Sequence, residues 1–299
     1  MEEYIVKEDQ LLYKALNLLE ENGAGEAYEY ILSNKEFLED YSSQLYNYLY
    51  CLSSVIGKKD ESLAWMREAL IDEGFWYRPA VFDDEDLDNI RDGEAFLRYK
   101  AISTGRYYEA LETASTLCTW REVKDAKIAL ILHGNQQNMY MGVEYWQFFE
   151  DEGYQVEYVQ SAIIDSHDLY RWEDEGDTQL DKVIDSIPWD MYNVHALCGF
   201  SAGCNEILKT LVGTSVKCQE IVLQSPWIPM IDENLEKLMI ALEKVRIRII
   251  CGSNDKDCLP YAKKLAEEAE KRGLDCRLQV INGLGHKYPT GHGHHYNIW

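Results

Sequence analysis

The chain has 299 residues and a formal net charge of -24, with 46% hydrophobic and 27% charged residues. This composition is typical of a globular protein, and the length favours two domains. The excess of acids argues against nucleic acid and anionic lipid as partners, because both are bound mainly by lysine and arginine. No apolar run approaches the ~20 residues of a membrane span, so we expect no membrane partner.

The N-terminus and the cysteines both favour a cytoplasmic protein. The chain opens with MEEYIVKEDQ, which is acidic where a secretory signal carries a basic segment and then an apolar one. The cysteines are scattered and mostly lie in apolar segments, which is typical of reduced structural cysteines rather than of a disulfide framework. They are Cys51, Cys118, Cys198, Cys204, Cys218, Cys251, Cys258 and Cys276.

Residues 1–118 have a helical pattern that contains three similar stretches. In each stretch a glycine closes one helix, a short polar turn follows, and a small residue begins the next helix. Gly23 and Gly57 lie 34 residues apart, and Gly105 follows after an acidic insertion. This spacing resembles tetratricopeptide-like helical hairpins. The sequence therefore predicts an all-α helical-hairpin domain over 1–118, with a plain helical bundle as the alternative. The stretches are ENGAGEAYEYIL, VIGKKDESLAWMREAL and STGRYYEALETASTL.

From residue 119 to residue 299 the pattern changes, because β-rich apolar runs now alternate with amphipathic helical segments. The alternation predicts crossover connections and a mainly parallel, doubly wound α/β sheet with helices on both faces. Ligands of such sheets bind at the carboxyl ends of the strands. The runs are KIALILHG, YQVEYVQSAI, VHALCGFS, EIVLQSP, VRIRIICGS and CRLQVINGLG.

A nucleophile, two acids and a base follow three of these runs. Ser201 lies between two glycines in GFSAG, Asp255 and Asp257 follow the fifth run, and His286 follows the sixth. The order serine, acid, histidine resembles the α/β-hydrolase family, whose serine lies on a strand-to-helix elbow. ICGSNDKDCLP and INGLGHKYP resemble the acid and histidine loops of that family, so the resemblance covers residues 127–289. It implies Ser201 as nucleophile, His286 as base and Asp255 as acid, with Asp257 as the alternative acid.

The same chemistry requires donors for the negative charge that develops on the substrate oxygen, and fixed backbone N–H groups serve best. Ala202 should supply one, because it follows the nucleophile at the start of a helix. The second oxyanion donor should come from the loop after LILHG, either from Asn135 or from Gln136. His133, in the same loop, is predicted to orient the loop rather than to catalyse.

Other histidines and cysteines near these motifs have structural interpretations. His195 is predicted to be a core histidine with its hydrogen bonds satisfied, and Cys198 and Cys204 to be small buried hydrophobes. The tail GHGHHYNIW offers His292, His294 and His295 to an adventitious metal ion, but no second ligand cluster has metal-binding spacing. We therefore expect no cofactor and no dedicated metal site.

The resemblance implies a serine hydrolase that acts on a small-molecule acyl substrate, an ester, thioester or small amide, through an acyl-enzyme. A prolyl-oligopeptidase-like peptidase is the alternative enzyme. A catalytically inert hydrolase fold, with a helical domain that binds a peptide, is the alternative from another class. The hydrolase domain has little room for a cap, so we expect the helical domain to form one wall of the pocket, with Trp76 and Tyr77 facing the second domain.

Overall fold

The computed structural model describes residues 8–121, 126–173 and 176–289. The chain divides into two compact units: the first contains the described residues up to Ala114 together with Ile164–Asp168, and the second contains the rest from Ser115 onward. The sequence did not predict that Ile164–Asp168 groups with the helical unit. Within these ranges no helix combines the length and apolar character that a membrane crossing needs.

The first unit consists of α-helices joined by short turns, and consecutive helices pack as hairpins. The hairpins pair the first helix with the second and the third with the fourth. A π-helical turn continues the fourth helix over Glu68–Asp72. The helices are α1 (Glu8–Asn22), α2 (Ala24–Asn34), α3 (Ser43–Val55), α4 (Lys59–Arg67) and α5 (Glu94–Leu111), with 3-10 turns at Lys35–Phe37, Pro79–Asp83 and Glu85–Leu87.

Two of the three glycines that the sequence marked as helix ends have that role. Gly23 and Gly57 follow α1 and α3 with φ of 91° and 79°, a conformation that glycine adopts without penalty. The prediction for Gly105 is wrong, because α5 continues through it. Two residues before it, the buried Ser103 hydroxyl accepts the N–H of Tyr77 and donates to the carbonyl of Tyr77, which attaches the middle of the helix to that residue. The assignment to a tetratricopeptide-like repeat class stays a prediction.

Aromatic side chains fill the core of the first unit. Tyr28, Tyr46 and Tyr50 are buried, and the Tyr77 ring packs edge-on against Tyr50. The Tyr77 hydroxyl donates to the carbonyl of Ser43 at 2.7 Å. Tyr77 is therefore a core residue of its own unit, and the expectation that it faces the second domain is wrong.

The second unit is built on a seven-stranded sheet in the order β1-β3-β2-β6-β7-β8-β9. Its edge strand β1 pairs with β3 antiparallel, and the other neighbours are parallel. The strands are β1 (Leu117–Cys118), β2 (Lys127–Leu132), β3 (Gln155–Gln160), β6 (Val194–Phe200), β7 (Glu220–Gln224), β8 (Arg246–Gly252) and β9 (Cys276–Ile281). The short strands β4 (Ile163–Ser166), which falls mostly in the first unit, and β5 (Leu169–Arg171) lie outside this sheet.

Helices cover both faces of this sheet. Ile128 and Leu130 of β2 pack into one buried cluster, whereas Ala129 and Ile131 point into another on the opposite face, as the two-residue period of a strand requires. The predicted doubly wound, mainly parallel α/β fold is confirmed. The helices are α6 (Val143–Trp146), α7 (Phe148–Asp151), α8 (Leu180–Ser186), α9 (Ala202–Gly213), α10 (Ile231–Ala241) and α11 (Leu259–Lys271), with a 3-10 turn at Trp189–Met191.

Candidate active site

Ser201 occupies a sharp turn between β6 and α9. Its φ of 51° and ψ of -121° are unusual for a residue with a side chain, which is typical of strained functional positions. The turn is possible because its neighbours are glycines. A Cβ atom on Gly199 would lie 2.9 Å from the carbonyl carbon of Gly203, and one on Gly203 would lie 2.5 Å from the carbonyl oxygen of His133.

His286 connects Ser201 to Asp255. The Nε2 atom of His286 lies 3.0 Å from the Ser201 Oγ, and its Nδ1 atom lies 3.0 Å from the Asp255 Oδ2. The three residues follow β6, β8 and β9, at the same edge of the sheet. The structure therefore brings together the three residues that the sequence selected.

Asp255 is buried, with 2% of its surface exposed, and its carboxylate is well supplied with donors. Its Oδ1 accepts the backbone N–H of Cys258 at 3.1 Å, and the hydroxyl of Ser225 also donates to the carboxylate. Burial alone would raise the pKa of Asp255, but the hydrogen bond and charge of His286 together with these donors hold it below its ordinary value. Asp257, the alternative acid, is exposed to solvent.

The candidate oxyanion donors lie around the nucleophile. Ala202 is the first residue of α9, so its N–H has no partner within the helix. The loop after β2 passes close to Ser201, since a Cβ on Gly134 would lie 3.2 Å from the Ser201 Cβ. In that loop the Asn135 Oδ1 accepts the backbone N–H of Trp172 at 2.8 Å, and Gln136 has a φ of 57°. The choice between the Asn135 and Gln136 N–H groups stays open.

His133 holds this loop in place, as we expected. Its Nδ1 lies 2.6 Å from the carbonyl of Gly134 and must donate, because a carbonyl only accepts. Its Nε2 then accepts the backbone N–H of Ser161 at 3.2 Å. Burial lowers the pKa of His133 to about 4, so the ring is neutral and has a fixed tautomer at neutral pH. The indole of Trp172 completes the support by donating to the carbonyl of His133 at 2.8 Å.

Sequence reasoning missed several residues that support the site. The Gln137 side-chain oxygen accepts the N–H of Gly134 at 2.9 Å and the hydroxyl of Tyr288 at 3.2 Å, so it connects the β2 loop to the histidine loop. The Tyr288 ring stacks on Phe200, with ring centroids 4.1 Å apart. The one sequence signal for these roles is position, because Gln137 lies close to His133 and Tyr288 lies close to His286.

The remaining histidine and cysteine predictions have mixed outcomes. Cys198 and Cys204 are fully buried, and burial raises the pKa of both thiols, consistent with structural side chains. His195 stacks on Trp189 at 4.5 Å and its ring hydrogen-bonds the backbone of Trp189 and Tyr192. Its Nε2 has no hydrogen-bond partner among the described residues, so the prediction of a satisfied core histidine is correct only in part. His292, His294 and His295 lie outside the described residues.

Comparisons with known proteins agree with the two-part architecture. Residues 7–111 match the family described as "A/B hydrolase-like, N-terminal domain". The crystal structure of an uncharacterised protein from Bacillus cereus ATCC 10987 is similar to this chain, with a TM-score of 0.51 and 26% sequence identity. That similarity covers 95% of this chain and 95% of the other.

Two further solved structures resemble part of the chain. Esterase PE8 covers 59% of this chain and 92% of its own, at 18% identity and a TM-score of 0.44. Acyl-protein thioesterase 2 of Zea mays covers 62% of this chain and 96% of its own, at 14% identity and a TM-score of 0.43. No curated protein matches this sequence. The sheet topology, the matched N-terminal domain and the full-length structural similarity identify the chain as an α/β-hydrolase-fold protein with an N-terminal helical domain.

Proposed function

We propose that the protein is a serine hydrolase that cleaves an ester, a thioester or a small amide through an acyl-enzyme. The observation that supports this most directly is the hydrogen-bonded series from Asp255 through His286 to Ser201, with 3.0 Å at each link. Each of the three side chains has the chemistry that its position requires.

The first step is the attack of Ser201. Asp255 stays ionised and accepts the Nδ1–H of His286, which leaves Nε2 unprotonated and directed at the serine hydroxyl. Nε2 takes the hydroxyl proton as Oγ bonds to the carbonyl carbon of the substrate. The imidazolium that results is stabilised by the carboxylate beside it.

The second requirement is stabilisation of the oxyanion. The N–H of Ala202 and an N–H of the β2 loop are the donors that we assign to it. His286 then gives its Nε2 proton to the leaving group, and the acyl group stays on Ser201. A water molecule, deprotonated by the same Nε2, attacks the acyl-enzyme. The bond from the acyl carbon to the Ser201 Oγ then breaks, Nε2 returns its proton to Oγ, and the acid is released.

An inert interaction protein is the alternative from another class, and the local geometry disfavours it. The strained φ of Ser201 and the two crowded glycines beside it are typical of a turn that presents a functional side chain. A prolyl-oligopeptidase-like activity differs in substrate rather than in these residues. The role of the helical unit in forming a pocket or binding a peptide, and the cytoplasmic location, stay predictions.

Turnover of a substrate panel tests the proposal. The panel contains p-nitrophenyl esters of increasing acyl length, acyl-CoA thioesters and aminoacyl amides, each measured with the full chain and with Ser201→Ala. We expect hydrolysis of at least one class, with a kcat about 10³-fold or more higher than that of the variant. Preference for the amides would favour the peptidase. Equal rates for both proteins would refute the assignment.

A further inference from the structure

Asp255, Cys258 and His286 bring an oxygen, a sulfur and a nitrogen donor within 4.8 Å of one another. The Cys258 Sγ lies 3.5 Å from the His286 Nδ1, and the Asp255 Oδ2 lies 3.0 Å from the same nitrogen. The ligand atoms of a tetrahedral zinc site lie about 2.0–2.3 Å from the ion. Two of these ligand atoms are then about 3.6 Å apart if they are nitrogen and sulfur, and about 3.4 Å apart if they are nitrogen and oxygen. The observed separations are close to two edges of such a tetrahedron.

We propose that these three side chains form an inhibitory Zn²⁺ site. The ion would bind the Cys258 Sγ, the His286 Nδ1 and a carboxylate oxygen of Asp255. Its inhibitory effect rests on the proposed hydrolase function, whereas the binding itself does not. Ser201 is not one of the three ligands.

Inhibition follows from where the histidine proton goes. Before the ion binds, Nδ1 carries the proton and Nε2 accepts the hydroxyl of Ser201. The bond from Nδ1 to Zn²⁺ displaces that proton, which returns to the ring at Nε2. The Cys258 thiol loses its proton to solvent and binds as the thiolate. Nε2 is then a donor, so it can no longer take the serine proton.

The surroundings of the thiol make this site conditional. Burial, the charge of Asp255 and nearby thiols raise the pKa of Cys258, so the thiol is neutral until an ion arrives. Cys258 and Asp255 are buried at 1% and 2% exposure, whereas the His286 side chain is 43% exposed and offers a route from solvent. A second thiol, that of Cys251, lies 3.9 Å from the Asp255 Oδ2 and is fully buried.

Metal binding can be measured without any substrate. The chelator-treated full chain is titrated with Cd²⁺, and the ultraviolet charge-transfer band of a cadmium–thiolate bond is recorded. Zn²⁺ affinity is measured by competition with a chromophoric chelator. Both titrations use a His292→Asn, His294→Asn, His295→Asn background, because the tail histidines offer a separate site. The variants are Cys258→Ala and Cys251→Ala, with Cys276→Ser as a matched control that removes a thiol at a distance.

We expect one Cd²⁺ per chain with a thiolate band, and Zn²⁺ binding at least about tenfold weaker in Cys258→Ala but unchanged in Cys276→Ser. Zn²⁺ affinity should fall less in Cys251→Ala than in Cys258→Ala. The site would be overturned if the thiolate band is absent, or if it is equal in wild type and Cys258→Ala. A larger loss of Zn²⁺ affinity in Cys251→Ala than in Cys258→Ala would also overturn it. These outcomes are independent of whether any substrate is hydrolysed.

A second arm measures the inhibition. Each protein is assayed against Zn²⁺ and normalised to its own rate without metal, and the rate should recover when chelator is added. We expect the inhibitory concentration for Cys258→Ala to rise at least about tenfold. Binding with no inhibition of an active enzyme would overturn the inhibitory role. If the protein hydrolyses nothing, the proposed function fails, while the titrations still decide whether the ion binds.

Discussion

Gly252 lies directly against Leu284, so that a Cβ atom at Gly252 would lie 2.0 Å from the carbonyl oxygen of Leu284. The N–H of Asn254 donates to that same carbonyl at 2.8 Å. These contacts connect the loop that carries Asp255 to the loop that carries His286. The loops that carry Asp255 and His286 are thus held together by a backbone contact that only glycine permits.

Gly252→Ala should therefore displace the histidine loop. We expect kcat to fall by about 10²-fold, because a shift of about 1 Å misplaces the base. The matched control is Gly213→Ala, where an added Cβ meets no atom within 4 Å, and its kcat should change little. Steady-state kinetics and thermal unfolding of both variants check this. Full activity in Gly252→Ala would show that the contact is not needed.

The two candidate acids are separated by matched substitutions. Asp255→Asn should lower kcat by several orders of magnitude, on the order of 10⁴-fold, because the amide favours the wrong histidine tautomer. Asp257→Asn changes an exposed carboxylate on the same loop and should cost less than about tenfold. The kcat values of both variants at one pH give the answer. The reverse order would assign the acid to Asp257.

His133 makes stability depend on pH. Its pKa is about 4 in the folded chain and about 6.5 when unfolded, so between these values the unfolded chain binds more protons. The contribution of His133 to the free energy of unfolding should be fully present above about pH 6.5. It should be lost as the pH falls toward 4, which lowers the free energy of unfolding by roughly 3 kcal/mol.

Urea unfolding of wild type and His133→Asn at several pH values between 4.5 and 7.5 isolates this contribution. The variant is expected to be less stable throughout, because the hydrogen bonds of His133 are lost. The informative quantity is the slope: the free energy of unfolding of wild type should fall more steeply with acid. Parallel slopes would mean that His133 does not titrate as described.

The sequence predicts the strands of the second unit because each one has a local signal. β2 has five consecutive apolar residues after Lys127, and Ser201 lies between Gly199 and Gly203 at the end of another apolar run. By contrast, Gln137 and Tyr288 were missed because their hydrogen bond joins positions 151 residues apart. Such a contact has no local pattern in a single sequence.

The helical unit shows where the local signal fails. Gly105 is a glycine before a polar stretch, like Gly23 and Gly57, yet α5 passes through it, and the nearby Ser103 hydroxyl holds the helix to Tyr77. The cost of a glycine inside a helix is only about 1 kcal/mol, which such a contact offsets. The grouping of Ile164–Asp168 with this unit depends on long-range contacts, including an ion pair between Arg78 and Asp165 at 2.8 Å.

The central claim is that Ser201 is an activated nucleophile, and covalent labelling by a fluorophosphonate probe tests it most directly. Intact mass and peptide mapping of the full chain should show one label per chain, on Ser201. Ser201→Ala should not react, and His286→Gln should react at least about 10²-fold more slowly, because the base is missing. Cys198→Ala, which removes a buried thiol of the same strand, should label normally. A wild-type chain that stays unlabelled, or carries its label on another residue, would contradict the account.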